Sequence, residues 1–194
     1  MERLIATEIA EEIIHLLLSN GGSEYIGEPV TKLEHMVQSA EIAAEKGLGE
    51  DLIIAALLHD IGHICEPTTD QNNMNGLGLQ DHELLGGTYL QAKGFSELIV
   101  QSVALHVPAK RYLCYKFPEY FALLSEASLQ TLAFQGGPMS ESEAIAFEQN
   151  PYLESILAIR RIDEEAKIPN KPLPQSFELY KQMIIRHLQK SQIE

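Results

Sequence analysis

The residues able to do chemistry concentrate at AALLHDIGH, positions 55–63. An apolar run, residues 52–58, ends in two adjacent metal-ligand types, His59 and Asp60. Such a run reads as buried helix or buried strand, and its length favours helix, with Asp51 as a cap and Gly62 as a stop. A histidine and an aspartate at the end of a buried helix are costly to desolvate unless something compensates them. A bound cation is one compensation. The other is a capped helix end, with Asp60 hydrogen-bonded and His59 packed in the core. His35, His82, His106 and Asp163 extend the set. Each alone has a plain explanation as a surface, packing or ion-paired residue. Together they make four imidazoles and two carboxylates on five separate helices. Histidine and carboxylate without cysteine suit iron, manganese, zinc or magnesium, and not a structural zinc site. Six ligands exceed what one open catalytic ion needs. Asp60 can bridge, which gives two ions roughly 3.5–4 Å apart.

The elements that must position these residues are all helical. Residues 2–19 carry Ile5, Ile9, Ile13, Leu16 and Leu17 at helical spacing, and Asn20-Gly21-Gly22 stops them. His15 reads there as a surface or packing residue. Residues 23–29 form a loop containing Tyr25 and Glu28. Thr31 and Glu34 have capping-box spacing before a stripe of Leu33, Met36, Val37, Ala40 and Ala44. His35 lies roughly 200° from Leu33 on that helix. Either it faces solvent, or the helix is buried on two sides with His35 aimed at something polar. Residues 64–80 are polar, glycine-rich and aperiodic, as an active-site lid is. Asp81 is a plausible cap for a helix opened by His82, and Gly86-Gly87 permit a close neighbour. Ser96 caps the next helix, which Pro108 should end at His106.

Residues 117–134 read as one helix with a hydroxyl stripe, Ser125, Ser128 and Thr131, that fits a partly exposed face. Ser140 with Glu143 marks a short helix, and Asn150-Pro151 starts another that runs to about residue 167. Asp163 shares its apolar face with Ile156 and Ile159, and Arg160 sits one turn earlier. Ser176 caps a last helix, on which His187 reads as a surface residue. No strand pattern of useful length occurs, so the fold class is all-α.

At 194 residues and 45% hydrophobic content the chain reads as one globular domain, 1–194. A net charge of −14 argues against nucleic acid and against anionic membrane surfaces as partners. Glu8, Glu11 and Glu12 interrupt any signal-peptide core, and no apolar run approaches the ~20 residues of a membrane span. Cys65 and Cys114 form no disulfide framework, which fits a reducing cytoplasm.

His35, the adjacent His59-Asp60 and the distant Asp163 resemble the HD-domain superfamily of metal-dependent phosphohydrolases, a helical-bundle fold. His82 and His106 resemble its dinuclear branch. YIGE (25–28), LEHMVQSA (33–40), AALLHDIGH (55–63), HVPAKRYL (106–113), TLAFQGGPM (131–139) and IRRIDEEAK (159–167) narrow the resemblance. They are similar to the mixed-valent di-iron oxygenases of phosphonate breakdown that act on 2-amino-1-hydroxyethylphosphonate or its N-trimethylated relative. The loop 64–80 departs most from that family. The resemblance implies dioxygen-dependent C–P cleavage that releases phosphate and glycine or glycine betaine. It implies one iron on His35, His59, Asp60 and Asp163, and a second on His82, His106 and the bridging Asp60. It implies that Tyr25 ligates iron until substrate arrives, with Glu28 supporting its loop. His63, Lys110, Ser128, Thr131, Gln135 and Arg160 match substrate-pocket positions. Independently, a phosphonate needs donors and positive charge, which Lys110 after His106 and Arg160 before Asp163 can supply. Glu66, Asp70, Asn72 and Asn73 could meet the cationic end of the substrate. A di-metal HD phosphohydrolase acting on a phosphate ester uses the same ligands and is the rival reading.

Overall fold

The computed structural model describes residues 2–25, 27–65, 74 and 78–191. Among them it contains twelve helices and no strand. These are α1 (Glu2–Asn20), α2 (Lys32–Glu45), α3 (Glu50–Leu58), α4 (Gly62–Cys65), α5 (His82–Ala92) and α6 (Glu97–Ala104). They continue with α7 (His106–Lys116), α8 (Pro118–Leu123), α9 (Glu126–Phe134), α10 (Glu141–Phe147), α11 (Leu153–Glu165) and α12 (Glu178–Ser191). The all-α expectation therefore holds. No helix among the described residues is long and apolar enough to cross a membrane.

The core is built around α3, which packs against α2, α6, α11 and α12. Ile53 to Leu58 are all buried, as a helix apolar on every side must be. Burying each large side chain contributes ~1.5–3 kcal/mol. On α2 the capping box is complete: Glu34 N–H donates to Thr31 Oγ1 (3.2 Å) and Thr31 N–H to Glu34 Oε2 (2.6 Å). That helix is buried on two sides, so His35 faces inward, while Ala44 is exposed.

Several local expectations are corrected. The buried stripe of α1 is Ala6, Ala10, Ile13 and Leu17, whereas Ile5 is exposed. Small side chains on that face let α1 approach α12 and α4. Asp51 does not cap α3, whose N-cap is Gly49. Asp51 instead faces His187 Nδ1 at 2.9 Å. His187 is accordingly buried, accepts from Ser96 N–H (3.1 Å) and stacks on Phe95. Gly62 does not stop α3, which ends at Leu58; it begins α4. A Cβ at Gly62 would lie 1.9 Å from the His82 carbonyl oxygen, so the glycine permits contact between α4 and α5. Asp81 precedes α5 in a left-handed conformation (φ 58°) and makes no side-chain cap.

His106 begins α7 rather than ending α6. Pro108 falls in that first turn, where its missing N–H has no helical acceptor to lose. The span 117–134 is two helices, because Ser125 caps the second by accepting from Ser128 N–H (3.1 Å). At residue 150 the asparagine opens a turn, with Oδ1 accepting from Tyr152 N–H (2.8 Å), and α11 starts at Leu153. Of the expected lid, Glu66, Asp70, Asn72 and Asn73 lie outside the described residues.

Candidate metal centre

Five helices and the turn after α3 bring His35, His59, Asp60, His82, His106 and Asp163 together, all buried. His35 comes from α2, His59 is the C-cap of α3, and Asp60 follows it. His82 and His106 open α5 and α7, and Asp163 lies on α11. Each imidazole spends Nδ1 on a backbone carbonyl. His35 donates to Ala166 (2.8 Å), His59 to Ala56 (2.8 Å), His82 to Leu79 (3.2 Å) and His106 to Val103 (2.8 Å). A carbonyl only accepts, so the proton of each neutral ring sits on Nδ1 and the Nε2 lone pair points inward. His35 and His59 then oppose lone pairs across 3.0 Å, and His82 and His106 across 3.2 Å. Neither pair has a hydrogen to share, and a cation between them removes the conflict.

Asp60 divides its carboxylate between the two pairs. Oδ2 lies 3.6 Å from His35 Nε2 and 3.5 Å from His59 Nε2. Oδ1 lies 3.3 Å from His82 Nε2 and 3.5 Å from His106 Nε2. Asp163 Oδ1 completes the first group at 3.2 Å from His35, while its Oδ2 is held by Arg160. Asp60 Oδ2 and Asp163 Oδ1 are buried with no hydrogen-bond partner. Leaving such an acceptor unmet costs ~1–3 kcal/mol or more. The orphaned oxygens and the opposed lone pairs fit two metal ions, one held by His35, His59, Asp60 and Asp163, the other by His82, His106 and Asp60. Burial lowers the His59 value, but Asp60 and Asp163 outweigh it and push it up to about 9. Burial raises both carboxyls, yet His59 beside Asp60 and Arg160 beside Asp163 hold them well below the usual range.

His63 also presents a nitrogen near Asp60 and His82. Its tautomer separates it from the other four. His63 Nδ1 accepts from Leu79 N–H (3.3 Å), so in the neutral ring the proton is on Nε2. Burial, then neighbouring His82, hold its value well below the usual imidazole range. The ring stacks on His82 (centroids 3.9 Å apart), and in its neutral form Nε2 is a donor.

A cavity of about 40 Å³ opens onto the centre. All the expected substrate residues line it: His63, Lys110, Ser128, Thr131, Gln135 and Arg160. Tyr25 and Glu28 close one side. The Tyr25 ring stacks on His35 (4.1 Å, 15°), and burial followed by Asp60 and Asp163 raises its phenol well above the usual range. Glu28 Oε1 accepts from Ser125 Oγ–H (2.6 Å). Lys110 Nζ donates to Thr131 Oγ1 (3.0 Å) and approaches the Ser128 carbonyl (3.5 Å). Desolvation, then neighbouring Arg160, bring it down to about 7. Gln135 Oε1 is buried without a partner. The hydroxyl stripe read as a partly exposed face is turned toward the pocket at Ser128 and Thr131. Arg160 is occupied: it holds Asp163 and Glu164 and donates from Nε to Tyr120 Oη (2.7 Å).

Two residues escaped the sequence reading. Lys167 lines the cavity and Glu164 pairs with it. Their spacing carried a signal, since positions 160, 163, 164 and 167 fall on one helical face.

The chain matches the HD domain family model over residues 33–167. It is 42% identical over 191 residues to an uncharacterized protein of Acanthamoeba polyphaga mimivirus, covering 98% of this chain and 86% of that one. It is 40% identical over 191 residues to the glycine-betaine-forming [1-hydroxy-2-(trimethylamino)ethyl]phosphonate dioxygenase of Leisingera caerulea, covering 97% and 96%. With a hydroxymethylphosphonate dioxygenase of Gimesia maris it shares 39% identity over 158 residues, 81% of this chain and 78% of the relative.

Proposed function

The chain belongs to the HD-domain family, and from that premise we propose that it is a dioxygenase cleaving the C–P bond of a small 1-hydroxyphosphonate. The observation that carries the reading is Asp60, which turns one oxygen to each histidine pair, next to a pocket that His82, His106 and Asp163 line together with cationic and hydroxyl groups. The substrates we assign are 1-hydroxy-2-aminoethylphosphonate and its N-trimethylammonio relative, with phosphate and glycine or glycine betaine as products. The relative from Leisingera caerulea carries the second of these activities in its name. Two iron ions, Fe(II) and Fe(III), held by the six ligands would supply the redox chemistry that uses dioxygen. In the net change one dioxygen is consumed, the C–H and C–P bonds of the hydroxyl-bearing carbon break, and carboxylate and phosphate form.

The protein's own part is binding and positioning. Lys110, Ser128, Thr131 and Gln135 offer the phosphonate oxygens a cation, two hydroxyls and an amide. His63 adds a donor from Nε2. Arg160 spends its guanidinium on Asp163 and Glu164, so it holds a metal ligand in place from the pocket wall. Tyr25 lies over His35 on the substrate side, and Glu28 ties its segment to Ser125. In our reading that segment moves aside when substrate arrives, and this need for a displaceable tyrosine favours oxygenase over hydrolase.

The test is phosphate release from iron-loaded protein given hydroxymethylphosphonate and the two aminated hydroxyphosphonates, with and without dioxygen. Dioxygen-dependent release is expected, and the fastest substrate identifies the group beyond the hydroxyl-bearing carbon. Release from none of them, with dioxygen-independent release from phosphate esters, would make the chain a di-metal HD phosphohydrolase.

A further inference from the structure

Each of the four imidazoles owes the direction of its lone pair to the carbonyl on its Nδ1, and the four carbonyls differ in where they come from. Ala56, Leu79 and Val103 stand three residues before His59, His82 and His106, so those rings are oriented within their own turns. The acceptor for His35 is Ala166, 131 residues away. Ala166 lies just beyond α11, with φ −86° and ψ 50°, so its carbonyl leaves the helical direction. A carbonyl in irregular backbone keeps its aim only if neighbouring groups hold the chain. Gln38 is buried one turn after His35 on the same face of α2 and grips Ile168 with both ends of its amide. Its Nε2 donates to the Ile168 carbonyl (2.9 Å), and its Oε1 accepts from the Ile168 N–H (2.9 Å). Thus α2 meets residues 166–168 at two points, which fixes His35 and Ala166 relative to each other. Two further links between α2 and this part of the chain, Lys46 to Glu165 and Lys171 to Glu41, are ion pairs open to solvent and hold less firmly.

We propose that Gln38 is a positioning residue for the metal group of His35, His59, Asp60 and Asp163: by clamping the backbone at Ile168 it holds the Ala166 carbonyl on His35 Nδ1 and keeps His35 Nε2 aimed at the ion. The group of His82, His106 and Asp60 needs no such clamp, because both its imidazoles are oriented from within their own turns. One metal group is therefore sensitive to Gln38 and the other is not, although Asp60 belongs to both. This inference rests on the six residues being metal ligands, as the proposed function requires, but not on the oxidative step.

The experiment is calorimetry of Zn(II), a redox-inert ion suited to these ligands, added to the metal-free protein. Wild type should take up two ions. Gln38→Met keeps the length of the side chain and removes both hydrogen bonds. It should bind one ion ~10–100-fold more weakly and the other as wild type does. The loss should persist when Gln38→Met is added to His106→Ala, and vanish when it is added to His35→Ala. Leu188→Ala, which opens a cavity in the core at α12, lowers stability and should leave both affinities unchanged. Wild-type binding by Gln38→Met, an equal loss in both histidine backgrounds, or the same loss in Leu188→Ala would overturn the clamp. If Gln38→Met fails to fold, Gln38→Glu decides the question. It keeps an acceptor for the Ile168 N–H but offers the Ile168 carbonyl no donor, and it should show the same split. Wild type that takes up fewer than two ions would refute the metal centre and this inference with it. Two ions with the expected split, in a protein that releases no phosphate when loaded with iron, would sink the oxygenase reading and leave the clamp standing.

Discussion

On one side of the cavity, four histidines are each fixed through Nδ1 to a backbone carbonyl, and Asp60 sits between them. On the other, Lys110, Arg160 and Lys167 are held by side chains of α9, α11 and the segment bearing Glu28. Two of those carbonyls, Ala56 and Val103, lie within α3 and α6, and the other two, Leu79 and Ala166, are backbone groups flanking α5 and α11, so none can turn away by a side-chain rotation. A carboxylate or hydroxyl on a side chain can be exchanged by rotation about its own bonds. The basin is thereby preorganised for cations, and the wall can trade internal partners for an anion.

Breaking the basin should have the largest effect. Asp60→Asn keeps the volume and removes the shared charge. Metal content should fall from two ions per chain to below one, and phosphate release should drop ~10³-fold. Retention of both ions, read by elemental analysis, would refute the bridge. Next comes the packing beneath the basin. Gly62→Ala places a Cβ against the His82 carbonyl and should cost ~3 kcal/mol in denaturant unfolding, whereas Gly22→Ala, with nothing near it, should be nearly neutral. Similar values for the two would remove the argument that Gly62 sets the approach of α5.

Lys110→Met probes the wall. KM should rise ~10–100-fold with iron content unchanged. Equal losses of iron and activity would place Lys110 in the basin instead. The smallest effect is a slope. Lys110 is brought down to about 7, so in the free protein it is charged below that pH and neutral above it. A bound dianion favours the charged form and raises the value again. Binding therefore takes up a proton above about 7, and Lys110 contributes less affinity as pH rises. Lys110→Arg, charged throughout, should flatten the methylphosphonate affinity profile above pH 7 relative to wild type. Parallel profiles would show that Lys110 does not titrate against the ligand.

Residue type and local spacing carried the candidate ligands, the capping boxes at Thr31 and Ser140 and the all-helical class. A metal ligand announces itself by being polar where the pattern is apolar, and a cap is satisfied within four residues. Other features depended on partners far away in the chain. Asp51 was free to look like a cap until His187, on the last helix, supplied another partner. His63 was indistinguishable by type from the four candidate ligand histidines. Its role turned on the Leu79 N–H that occupies Nδ1. Lys167 was one lysine at a helix end until the fold set Glu28, Ser125 and Ser128 around it. Sequence alone determined which chemistry the chain can do, because ligand type and helix periodicity are local properties. Tertiary structure decided which histidines turn a lone pair toward the centre and which cations line the pocket, because hydrogen-bond donors are allotted by neighbours brought together only on folding.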